Sequence, residues 1–161
     1  MLRTLSADIA HSWISAQIQD HLWVVPAVQS IHILAIAALI FAAFSADYAI
    51  LRRPSAAGAI PWLAGSYRWT WTALLVLLIS GSILITGEPK RSLMNVYFWI
   101  KIGSVLLAAF ITLILQRSLL GKGQLALPRS GLVALVSISV SLWVVILFCG
   151  RFIAYFGDFS N

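Results

Sequence analysis

Charge is the scarcest commodity in this chain. Of 161 residues, 11 are Lys or Arg and 5 are Asp or Glu, so charged residues make up 10%, against about 25% in an ordinary soluble domain. Sixteen charges cannot cover the surface of a water-facing globule of this size. Cysteine is nearly absent too: Cys149 stands alone, which excludes an internal disulfide. Five acidic residues leave little scope for paired-carboxylate catalysis, which would have to join Glu88 to a distant Asp. The phosphate-cradling GxxxxGK[ST] run and the GxSxG nucleophile turn are both missing. No internal repeat is visible. A soluble enzyme, a disordered chain and a disulfide scaffold are excluded by composition.

What is abundant is apolar surface. Hydrophobic residues reach 61%, and the mean hydropathy is +0.95. A net charge of +6 and a pI near 10.1 would suit nucleic acid, but the basic residues sit between apolar runs and read as membrane-orienting charges. A hydrocarbon core about 30 Å thick needs roughly 20 consecutive apolar residues. Four such runs predict an all-α, polytopic membrane protein, a four-transmembrane-helix bundle forming one domain over residues 1–161. The spans are placed at 23–50, 69–86, 96–115 and 131–156. Pro26 falls in the first turn of the first span, where its missing N–H costs little. Pro61 is expected to precede the second span, and Gly87-Glu88-Pro89 to end it. The stretch from Gln116 to Ser130, with two glycines and Pro128, reads as a loop.

Residues 2–20 follow another pattern. Leu2, Leu5, Ile9, Trp13 and Ala16 recur every three or four positions among polar residues, which predicts an amphipathic helix lying in the interface plane. Six of the seven tryptophans (Trp13, Trp23, Trp62, Trp69, Trp71 and Trp99) fall near span ends, as an aromatic belt requires, and Trp143 is mid-span. The loops after spans one and three carry Arg52, Arg53, Arg68, Arg117, Lys122 and Arg129, against Arg3, Lys90, Arg91 and Arg151 on the other side. This excess favours those loops in the cytoplasm of a bacterial inner membrane, with both termini outward.

Charged groups inside a span face a cavity or a partner. Asp47 and Arg151 lie within about two turns of a membrane end, where Asp47 can pair with Arg52 or Arg53 and Arg151 can snorkel. His32 and Lys101 are different. They enter spans one and three from the same side, to depths of roughly 14 Å and 8 Å. A neutral imidazole offers one lone pair for a metal or a proton, and a nearby ammonium suits a carboxylate. Gly81 beside Ser80 and Ser82, Gly103 beside Ser104, and Gly150 beside Cys149 fall at a similar level. They either permit close helix packing or leave room for a flat ligand.

A haem b edge entering between helices fits this set, with His32 as axial ligand, Lys101 as carboxylate partner, and Gly81, Gly103, Gly150 and Arg151 around it. A second imidazole is the difficulty. The histidines are His11, His21 and His32, and spans two to four hold none. A haem would be five-coordinate or take Lys101, Met94, Cys149 or a neighbouring subunit's residue as second ligand. Copper is the alternative metal, though it favours Cys, Met and His clusters. Transport or sensing of copper or a small solute, and a non-catalytic assembly role in a homo-oligomer or larger membrane complex, are the other functions weighed. His11 and His21 read as ordinary interfacial polar residues.

Three stretches carry a resemblance: Pro26-Ala-Val-Gln-Ser-Ile-His32, Asn95-Val-Tyr-Phe-Trp-Ile-Lys101, and Ser141-Leu-Trp with Gly150-Arg151-Phe-Ile-Ala-Tyr155. Together they resemble a bacterial family of small four-span membrane proteins of unknown function, over most of the chain from Pro26 onward. More distantly, the span-one His and the aromatic-x-x-Lys entering span three are similar to copper-resistance D-type membrane domains and to HemJ-type protoporphyrinogen oxidase. The last resemblance implies His32 as axial haem ligand and Lys101 as a carboxylate partner.

Overall fold

In the computed structural model, residues 2–21, 23–52, 59–120 and 128–155 are described. Seven helices follow one another: α1 (Leu2–Ala10), α2 (Trp13–Asp20), α3 (Val24–Arg52), α4 (Ala59–Gly87), α5 (Pro89–Leu93), α6 (Val96–Leu120) and α7 (Arg129–Tyr155). No strand occurs among the described residues. Four helices, α3, α4, α6 and α7, are long and apolar enough to cross a bilayer. Large apolar side chains stand outward on each of them, among them Leu34, Phe41, Leu78, Leu106 and Phe148. Such faces are untenable in water and ordinary in lipid. The chain is a multi-pass membrane protein.

The bundle is two antiparallel hairpins. α3 packs along α4, and α6 along α7; the hairpins join chiefly through α3 and α7, while α4 and α6 touch sparsely. The Trp71 indole N–H donates to Gln116 Oε1 across that sparse joint at 2.9 Å. The core has two layers. One, toward the end where α3 closes, holds Ala46, Ile50, Leu63, Tyr67, Ile111, Leu115 and Val136. The other holds Leu39, Ala43, Ala73, Ala108, Trp143 and Ile146. Small residues on α3 (Ala42, Ala43, Ala46) are buried where the hairpins meet, and with little hydrophobic drive inside lipid it is this close approach that holds helices together.

Several boundaries differ from the sequence reading. The single interfacial helix over 2–20 is two helices. The chain breaks at His11–Ser12, and Ser12 caps α2 by accepting from Ser15 N. Pro61 lies inside α4, not before it. Its position as third residue explains this, because the first turn has no intrahelical acceptor for the missing N–H. α4 thus begins ten residues before the predicted 69. α6 continues past 115 to Leu120, and α7 starts at Arg129. His21 ends α2, its Nδ1–H donating to Gln17 O at 3.0 Å, so it shares no helix with His32. Arg53, Lys122 and Phe156 lie outside the described residues.

The N-terminal helices do more than lie beside the bundle. Ser15 Oγ donates to Thr86 O at 2.8 Å, and Gln19 Nε2 donates to Gly87 O at 3.1 Å. These carbonyls belong to the last turn of α4, which has no partners of its own. Gly87 is buried, and a Cβ there would meet Ile18 Cγ2 at 3.2 Å and Val25 Cγ2 at 3.4 Å. A glycine lets α2 reach the helix end.

Candidate functional site

The site grows from α3. Its first third carries His32 to a part-buried position against α4. There Nδ1 lies 2.7 Å from Ser80 Oγ. That hydroxyl is itself 2.7 Å from Val76 O, its own i−4 carbonyl. A hydroxyl has one proton, and the carbonyl can only accept. The Ser80 proton therefore goes to Val76 O, and the His32 Nδ1–H donates to the oxygen lone pair. The ring is held in the tautomer that leaves Nε2 as a free acceptor. Gly81 forms the adjoining wall, and a Cβ there would sit 3.5 Å from His32 Cε1.

Lys101 comes from α6, five residues into that helix and from the same end of the bundle. It is part-buried. Its ammonium is near enough to act electrostatically on the His32 ring and on the Cys149 thiol. Its Nζ lies 3.7 Å from where a Cβ of Gly150 would be. No carboxylate approaches Lys101 among the described residues. His32, Ser80, Gly81, Lys101, Cys149 and Gly150 thus form one polar locus contributed by α3, α4, α6 and α7.

Other sequence candidates fall elsewhere. Gly103 is exposed on α6 with open space around it, so it belongs to the outer face and not to this locus. Arg151 is exposed, with its guanidinium 4.6 Å from the Tyr155 ring and donating to the Tyr155 hydroxyl. His11 and His21 are exposed, and Met94 lies in the turn between α5 and α6. Among the described residues no three of His, Cys, Asp and Glu come together as a multi-donor metal centre. Two apolar grooves lie away from His32, on the other half of α3.

Asp47, expected to pair with Arg52 or Arg53, has a different partner. It is only 5% exposed. It accepts a hydrogen bond from Ser139 Oγ at 3.0 Å, across α3 and α7, and no ion pair reaches it among the described residues. Arg52 does not pair with it; its guanidinium stands over the Tyr48 ring at 5.5 Å. Tyr67 is close enough to feel Asp47, yet among the described residues its buried hydroxyl has no hydrogen-bond partner, and neither does Trp143 Nε1. A helical-face count would have put Asp47 on the buried side with Ala43 and Ala46, but its partner 92 residues on had no local signal. Comparisons with family models, with curated proteins and with solved structures give no match.

Proposed function

We propose that the protein binds haem b inside the membrane, with His32 Nε2 as axial donor and Lys101 as partner of a haem carboxylate. The His32–Ser80 hydrogen bond carries this reading. Metal-ligating histidines bond through the second ring nitrogen to a fixed acceptor, which sets tautomer and ring orientation. Here the acceptor is Ser80 Oγ, anchored to Val76 O. Lys101 supports the same reading, because an ammonium in the span with no protein carboxylate at hand suits an anionic group from a ligand.

The donor set fits one axial nitrogen and one carboxylate, and it does not fit a multi-ligand copper centre. Haem bound here would supply a one-electron couple. The chain's own contribution is ligation by His32, tautomer control by Ser80 and charge neutralisation by Lys101. Gly81 and Gly150 keep bulk away from the ring and the ammonium. The excess of Lys and Arg at and between the adjoining ends of α3 and α4 and of α6 and α7 favours placement of that end in the cytoplasm of a bacterial inner membrane. The locus then lies in the outer half of the bilayer.

Full-length protein purified in detergent and titrated with haem tests the proposal. A Soret band that grows to a stoichiometric end point is expected, lost in His32→Ala and weakened in Lys101→Gln. A protein that stays colourless through the titration, or a band of undiminished strength in His32→Ala, overturns it.

A further inference from the structure

A groove away from His32 lies on the other half of α3 and α4. We propose that the groove between these helices holds an anionic phospholipid, one acyl chain on each side of Phe41 and the phosphate at Arg52 and Arg68. The groove encloses about 490 Å³, with Ala38, Ala42 and Ser45 on one wall and Gly65, Trp62 and Trp69 on the other. Phe41 and Ser45 also border a shallower depression of about 570 Å³ on α3, which Tyr48 closes. Phe41 is therefore a ridge between two adjacent apolar troughs, a shape suited to a two-chain lipid.

Charge selects the headgroup. In sequence Arg68 falls between groove residues Ser66 and Trp69, and Arg52 follows Ser45 by two turns, its guanidinium over the Tyr48 ring. Both arginines are exposed, as are Arg117 and Arg129 at the same end of the bundle. The one acid described at that end is Asp47, which is buried and bonded to Ser139. Exposed Asp8, Asp20 and Glu88 stand at the other end. A phosphate carrying net negative charge suits this end better than the other, where those acids accompany Arg91 and Arg151. Trp62 and Trp69 are mostly exposed on the groove wall, and indoles favour the headgroup boundary. The site is independent of haem binding at His32.

Native mass spectrometry of the full-length protein in detergent, mixed with equal phosphatidylglycerol and phosphatidylcholine, tests the proposal. The wild type is expected to retain phosphatidylglycerol several-fold over phosphatidylcholine. Gly65→Leu puts a side chain into the groove at a position where nothing lies within 4 Å of a Cβ, and is expected to lose the adduct. Arg52→Gln with Arg68→Gln, both surface changes, is expected to bind the two lipids equally. Equal retention by the wild type, or a preference that survives both variants, overturns the proposal. So does a wild-type dimer that Gly65→Leu converts to monomer, which would put a second copy of the chain in the groove.

Discussion

His32 on α3 and Ser80 on α4 are joined by a 2.7 Å hydrogen bond across 48 residues of sequence. Hydrogen bonds between membrane helices contribute about 0.6 kcal/mol on average and up to about 1.7. Ser80→Ala is expected to lower stability in detergent by that amount and to let the imidazole populate both tautomers. Ser80→Thr keeps the oxygen and is expected to keep the single tautomer. Nitrogen chemical shifts of labelled histidine check the tautomer, and thermal unfolding checks the energy. An unaltered single tautomer in Ser80→Ala would sink the assignment.

Asp47 and Ser139 make the corresponding tie between the hairpins. Removing one partner of a buried pair leaves the other unsatisfied, at a cost of about 1–3 kcal/mol. Ser139→Ala is expected to show that loss. Asp47→Asn retains an acceptor oxygen for the Ser139 hydroxyl and is expected to be much milder. Denaturation midpoints of the two variants decide it; equal losses would contradict the bond's role.

Tyr67 and Trp143 point to a gain. Their buried Oη and Nε1 have no hydrogen-bond partner, and an unsatisfied buried group costs about 1–3 kcal/mol. Tyr67→Phe removes the orphan oxygen and keeps the ring, so its unfolding temperature is expected to equal or exceed that of the wild type. Trp143 is fully buried, and Trp143→Ala is expected to cost about 3–5 kcal/mol, because the cavity outweighs any relief at the indole N–H.

The bonds from α2 to α4 govern how firmly the N-terminal segment is held. Ser15→Ala combined with Gln19→Leu strips partners from Thr86 O and Gly87 O, at about 0.5–1.5 kcal/mol for each bond. Gly87→Val adds methyls where Ile18 and Val25 already approach. In both variants, limited proteolysis is expected to cut between α2 and α3 faster than in wild type. An unchanged cleavage rate would mean that apolar packing alone retains α2.

Four spans were legible because lipid demands long apolar runs, a signal carried by composition within each segment. Helix α4 was read too short for the same reason: Pro61, Ser66 and Arg68 look like loop residues, yet all three fit within a helix that begins at Ala59. The break at Ser12 was written in the sequence as a capping serine, but the apolar periodicity runs straight through it. His32 and Lys101 stood out because ionisable groups are rare in a span. Ser80 did not, because a serine bonded to its own helix costs little in a membrane and is common there. Gly103 and Gly81 look alike in sequence, and only helix rotation separates the one on the outer face from the one against the imidazole.

The clasp between α2 and the end of α4 has a consequence for biogenesis. Ser15 leaves the ribosome 71 residues before its acceptor, Thr86. At about 5–20 residues per second, the gap is roughly 4–14 s. During that time α2 lacks its acceptors on α4, and two spans must be threaded before the latch can close. A bulky tag fused at the amino end would be carried through this waiting period, and one at the carboxyl end would not.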